Sequence, residues 1–152
     1  MISTQLPARA QRLVDGAPDV ADLPCDSLTM EEVGEYMRRY YLKRGRQASE
    51  RFHKISADDP GRNFHDHPWD YTTHLLSGSY REHTPDGDVL YEAPCTLVRK
   101  AESLHRLELP NGPVWTWFLT GRVRRRWGFM TDRGWVWHEN YADAGTLAGC
   151  ET

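Results

Sequence analysis

From residue 48 onward, apolar and polar residues alternate over short runs, and each run stops at a cluster of turn-forming residues. Alternation with period two places successive side chains on opposite faces of a strand, so runs of this kind read as half-buried strands. The runs lie at Glu50–Ser56, Asn63–His67, Tyr71–Leu76, Tyr80–His83, Val89–Tyr91, Thr96–Arg99, Leu104–Leu109, Val114–Leu119, Arg124–Met130 and Trp135–Glu139. Between them stand Asp59-Pro60-Gly61, Ser77-Gly78-Ser79, Pro85-Asp86-Gly87, Pro110-Asn111-Gly112-Pro113 and Asp132-Arg133-Gly134. Such clusters combine residues that tolerate positive φ with residues that pre-set a turn. Many short strands with no helical segments interleaved predict an all-β sandwich or barrel, and a small jelly roll suits the number of strands.

The period changes ahead of this region. Met30, Val33, Met37, Tyr40 and Tyr41 fall on one stripe at helical spacing. Thr29 with Glu32 makes a capping box, acidic residues open the segment, and Arg38, Arg39, Lys43 and Arg44 close it before Gly45. The pattern predicts one N-terminal α-helix over residues 29–45. Residues 1–28 hold Pro7, Pro18 and Pro24 without sustained periodicity and read as an arm, 48–141 as the barrel and 142–152 as a tail. No repeat, linker or low-complexity tract divides the chain.

At 152 residues the chain suits one domain with a core of its own. A net charge of −3 is too small to point to nucleic acid or a membrane surface. No apolar run is long enough to span a bilayer and no secretory signal opens the chain. Cys25, Cys95 and Cys150 are odd in number and scattered, which suits reduced thiols in a cytoplasm and argues against a zinc ribbon. Six Trp, seven Tyr and four Phe compensate for a hydrophobic content of 39 %. The pairs Trp115/Trp117 and Trp135/Trp137 each share a strand face, as expected for core packing or a homodimer interface.

The chemistry concentrates in Gly61-Arg62-Asn63-Phe64-His65-Asp66-His67-Pro68-Trp69-Asp70-Tyr71 and its continuation to Gly78. Histidines at i and i+2 of a strand project from one face and can share a metal ion, and neutral imidazole suits iron, zinc, copper and nickel. His105 is in phase with Leu107 and Leu109, which turns it inward towards the same place. His74 has the opposite parity and reads as structural, and His83 and His138 sit near turns.

The stretch resembles motif 1 of the cupin superfamily, G-(x)5-H-x-H-(x)3,4-E-(x)6-G. His65, His67 and Gly78 match it in type and spacing, Gly61 lies two residues too close, and Tyr71 occupies the glutamate position. His105 stands where motif 2 has its histidine, without the glycines, proline and asparagine that usually surround it. The likeness covers about residues 50–141. It implies a cupin double-stranded β-helix binding one divalent metal, iron(II) first, with zinc, nickel or manganese as alternatives, through His65, His67 and His105.

Three histidines alone, as in the thiol dioxygenases of the superfamily, stand beside two sets with a fourth ligand. One adds Asp70, brought into phase by a bulge at Pro68, and the other adds Tyr71. Tyr71 and Glu102 are candidate acid–base groups. Arg99 or Arg124, turned inward, would clamp a substrate carboxylate, and His53 would line the barrel mouth. The remaining arginines of Arg122–Arg126 read as a solvated strand. The expected activity is that of a non-haem iron oxygenase on a small polar metabolite. A metal-dependent isomerase, dehydratase or lyase is the alternative, and a non-catalytic binding module the third possibility.

Overall fold

The computed structural model describes residues 29–141, and these form twelve strands and one short 3-10 turn. The strands are β1 (Thr29–Val33), β2 (Met37–Lys43), β3 (Ser49–Ile55), β4 (Phe64–His65), β5 (Tyr71–Ser77), β6 (Ser79–Thr84), β7 (Gly87–Glu92), β8 (Cys95–Arg99), β9 (Arg106–Glu108), β10 (Val114–Thr120), β11 (Gly128–Thr131) and β12 (Gly134–Trp137). The ten segments read as strands from residue 48 onward are all present, with ends shifted by a few residues. The expected arm and tail lie outside the described residues.

The predicted helix over 29–45 is a correction. The segment is an antiparallel hairpin, β1 against β2, with Gly34 in its turn at φ 55°. Glu32 reaches Arg38 across it at 3.5 Å. The apolar residues that gave helical spacing divide between the two faces of the hairpin, Met30 opposite Tyr40 on one and Val33 opposite Met37 on the other. Tyr40 and Tyr41 favour a pleated surface. Pairing of β2 with β3 from Met37↔Ile55 to Lys43↔Glu50 then outweighs a weak local preference.

One sheet has six strands in the order β1-β2-β3-β10-β5-β8. Two three-stranded sheets, β12-β11-β4 and β7-β6-β9, meet at a single antiparallel bridge between His65 and His105. There His65 N–H donates to His105 O at 2.9 Å and His105 N–H to His65 O at 3.0 Å. The two small sheets thereby make one second layer, and its seam carries two of the candidate ligands.

Between the layers lies the core of Ile55, Leu75, Tyr80, Leu97 and Val114. Gly78 at φ 86° turns β5 into β6, and a Cβ there would stand 2.7 Å from Pro113 O. Only glycine fits this approach, so the last residue of the motif 1 pattern has a steric reason. Gly128 is tighter still, with a Cβ 2.1 Å from Val136 O.

Candidate metal centre

The His-x-His segment is held by the residue between its histidines. Asp66 is buried and turns away from them, accepting hydrogen bonds from Gly128 N–H at 2.7 Å and Trp135 Nε1 at 2.9 Å. Arg125 Nη1 stands 2.8 Å from the same carboxylate. Backbone bonds to His105, Gly128 and Ala101 fix residues 65, 66 and 67 in turn. With Asp66 tied outward, strand alternation sends His65 and His67 the other way.

His65, His67 and His105 are all buried, and one ring nitrogen from each lies within 4.8 Å of the others. Their ring centroids are 4.7 to 5.1 Å apart. His105 Nδ1 meets Glu82 Oε1 at 2.9 Å. A carboxylate only accepts, so Nδ1 carries the proton and Nε2 keeps the lone pair that a metal needs. Burial would raise the Glu82 carboxyl, but hydrogen bonds from His105 and Arg99 outweigh it and bring it down to about 2. The buried Asp59 carboxylate reaches His65 Nδ1 at 3.9 Å and accepts from Leu107 N–H at 2.8 Å. Burial drives His65 and His67 well below the usual histidine range, and neighbouring positive charge adds to the shift. Both are neutral imidazoles near pH 7, the form that coordinates. His67 Nδ1 is buried without a hydrogen-bond partner. Three convergent imidazoles, two of them held neutral by burial and the third oriented by a carboxylate, fit a divalent ion.

The three rings open onto an internal cavity of about 60 Å3 between the layers. From the six-stranded sheet, Arg39, His53, Thr73, Thr116 and Phe118 line it, and Tyr71 stands beside His67 with ring centroids 4.6 Å apart.

No protein-family model matches the sequence, and no curated protein matches it. Solved structures do match. The polyketide cyclase RemF from Streptomyces resistomycificus superposes with a TM-score of 0.59 at 13 % identity, over 72 % of this chain and 84 % of that one. An RmlC-like cupin from Ralstonia eutropha JMP134 gives 0.55 at 14 % identity, over 73 % and 72 %. Hydroxypropylphosphonic acid epoxidase from S. wedmorenis gives 0.54 at 12 % identity; the match covers 62 % of this chain and only 56 % of the epoxidase.

The fold is the cupin fold. The cupin resemblance of residues 61–78 thus rests on the architecture as well as on the motif, and His105 does meet the His-x-His pair.

Other expected site residues fall elsewhere. Asp70 is not beside the histidines: β4 ends at His65, and by Asp70 the chain has reached the surface. It accepts Ala101 N–H at 2.8 Å and Arg124 Nη2 at 2.7 Å, and these bonds pull its carboxyl down to about 2. Its carboxylate is committed there, so Asp70 as a fourth ligand is a correction. Arg124 and Glu102 belong to the same exposed network, 2.7 Å apart, which removes Arg124 as an inward clamp and Glu102 as an acid–base group of the cavity. Arg99 does not line the cavity either. Its guanidinium grips Glu82 through Nε at 3.3 Å and Nη2 at 2.7 Å, and so holds the carboxylate that holds His105.

Tyr71 and His53 are brought to the cavity. His74 bonds Thr96 on the opposite face of the six-stranded sheet, and His83 sits between Asp88 and Glu108. Three cavity or support residues were missed: Glu82, Asp59 and Arg39. Glu82 had a readable signal, an acid in phase with Tyr80 on a short strand. Arg39 was hidden by the helical reading of its segment.

Proposed function

We propose that this protein is a metal-dependent enzyme acting on a small polar molecule, with non-haem iron oxygenase chemistry as the primary reading. The observation that carries it is the set of three buried, convergent histidines on one cavity, with Asp70 turned away. Three uncharged donors leave a divalent ion its full charge and open positions for substrate. A bound ion would act there as a Lewis acid or, as iron(II), support dioxygen chemistry. The Fe(II) form of the epoxidase HppE, 11 % identical with a TM-score of 0.54, has the same fold and lends the iron reading support.

The chain's own residues do the rest. Glu82 and Arg99 lock the His105 ring, which sets Nδ1 as the donor and leaves Nε2 as the nitrogen that would face a metal. Ile55, Leu107 and Phe118 give the cavity apolar walls that exclude bulk water from bound substrate.

A second reading, a metal-dependent lyase, isomerase or dehydratase, is favoured by Tyr71. Its hydroxyl is buried without a hydrogen-bond partner, and burial raises its pKa well above that of free tyrosine. It stays protonated, able to donate a proton or hydrogen bond into the cavity. RemF, named a polyketide cyclase, shows that the fold also serves in a cyclase.

The test is metal analysis of anaerobically purified protein, then an oxygen-uptake screen with small thiols, amino acids and keto acids. His65→Ala, His67→Ala and His105→Ala should each lose most bound metal with an unchanged circular dichroism spectrum. His83→Ala should bind like the parent. Oxygen uptake supports the oxygenase, and turnover without oxygen supports the second reading. Full metal content in the His105 variant would refute the three-histidine centre.

A further inference from the structure

The wall of the cavity facing the histidines is polar in an ordered way. Cross-strand pairing sets Arg39 of β2 opposite His53 of β3, and His53 opposite Thr116 of β10. Neighbouring strands are about 4.8 Å apart, so these side chains form one inward row across three strands, and all three line the cavity. Each is buried to within 6 % of full exclusion. His53 Nε2 and Thr116 Oγ1 have no hydrogen-bond partner. Glu31 reaches Arg39 at 3.9 Å while its other oxygen is shared with Arg44 at 3.3 Å. Unsatisfied buried polar groups cost about 1–3 kcal/mol each, and two of them beside a guanidinium on one wall mark a place built for a ligand that arrives from outside.

We propose that Arg39, His53 and Thr116 form an anion-binding row opposite His65, His67 and His105, and that the molecule bound between them is a small carboxylate. The proposal rests on the preceding reading for the metal end alone. A guanidinium flanked by an imidazole and a hydroxyl, each able to donate, matches the planar, acceptor-only carboxylate group. The dimensions set the size. A cavity of about 60 Å3 suits a small ligand, such as a carboxylate with one more oxygen- or nitrogen-bearing carbon to reach the histidines, as in glycolate or pyruvate. Arg39 and not Arg99 or Arg124 is then the specificity residue.

The experiment is calorimetric titration of glycolate, pyruvate, pyruvamide and inorganic phosphate into the full chain, metal-free and loaded with Co(II). Pyruvate or glycolate should bind saturably, and the neutral amide about tenfold or more weakly, as expected for loss of a charge-assisted bond. Arg39→Met should weaken the carboxylate by a similar factor while Co(II) stoichiometry and visible absorption stay unchanged. Thr116→Val should weaken it about threefold to tenfold, which keeps the question answerable if the arginine variant fails to fold. Equal binding of acid and amide, carboxylate affinity unaffected by both substitutions, phosphate binding tighter than either carboxylate, or no saturable carboxylate binding overturns the proposal. Arg39-dependent carboxylate binding in a protein that takes up no Co(II) sinks the metal reading and leaves this one standing. Stoichiometric Co(II) with no carboxylate binding does the reverse.

Discussion

The two faces of the six-stranded sheet differ in what they bury. On the outer face, Tyr40, Phe52 and Trp115 form a buried cluster with Leu42, Leu76 and Trp117 packed against it. Tyr40 stacks on Trp115 at 5.9 Å and Phe52 on Trp117 at 6.4 Å. The inner face, turned to the core, carries Arg39, Arg51, His53, Thr73 and Thr116. Arg51 is sandwiched among rings, 4.9 Å from Trp69 and 5.5 Å from Phe118. Buried polar groups usually find partners because an unpaired one is costly. The outer face is given to aromatic packing, whereas the inner face sets these polar groups among the apolar core of Ile55, Leu75 and Leu97, so the groups suited to binding gather on one side.

The largest effect that should separate the faces is Phe52→Ala. Phe52 is fully excluded from solvent, and removing a buried phenyl ring costs about 3–5 kcal/mol. Urea unfolding should show that loss, while metal stoichiometry at a temperature where the variant is folded stays that of the parent. If metal uptake falls with Phe52 truncated, the two faces are not independent.

That division was only partly legible in the sequence. Alternation from residue 48 onward reports which residues share a face, so His65, His67 and His105 could be brought together before any coordinates. Their convergence depends on one bridge, His65↔His105, whose register follows the inward phase of Leu107. The hairpin at 29–43 was illegible because its apolar residues, though divided between two faces, fall at helical spacing along the chain, and with it went Arg39. Asp70 was misplaced for a different reason. The chain leaves β4 after His65, and an ion-pair network with Arg124 and Lys100 captures the carboxylate. Strand parity carries no information about such long-range partners.

A smaller effect concerns protons on the inner face. Burial, with Arg39 and Arg51 adding repulsion, holds His53 well below the ordinary histidine value. The unfolded chain takes up a proton at His53 near pH 6.5, whereas the folded chain takes it up only at much lower pH. The unfolded state binds more protons in that window. Stability is therefore fully present above about 6.5 and declines as pH falls below it. His53→Gln should flatten the decline by about 1.4 kcal/mol per pH unit in metal-free protein. Unfolding curves at pH 7.5, 6.0 and 5.0 measure it. The outer-face control is His74, less deeply buried and bonded to Thr96, whose value is also lowered. His74→Gln should alter the slope less, and an equal change from both would mean that the inner row is not specially desolvated.

The smallest effect has the opposite sign, and it tests the comparison at a single atom. Thr116 is buried, its Oγ1 has no partner, and a valine would replace the hydroxyl with a methyl group of nearly the same volume. No cavity opens, so the usual penalty of a core truncation is absent. A desolvated, unpaired hydroxyl is removed, and that favours the folded state by about 1 kcal/mol. Thr116→Val should thus raise the midpoint of urea unfolding slightly, with the m-value unchanged. The same substitution on a face built only for packing would be neutral or harmful. A gain in stability joined to a loss of carboxylate affinity is the combination expected where a binding site holds polar groups that the fold itself does not need. A loss of stability would show that Thr116 Oγ1 is satisfied in solution, for instance by an ordered water, and that the inner face is hydrated and not poised for a ligand.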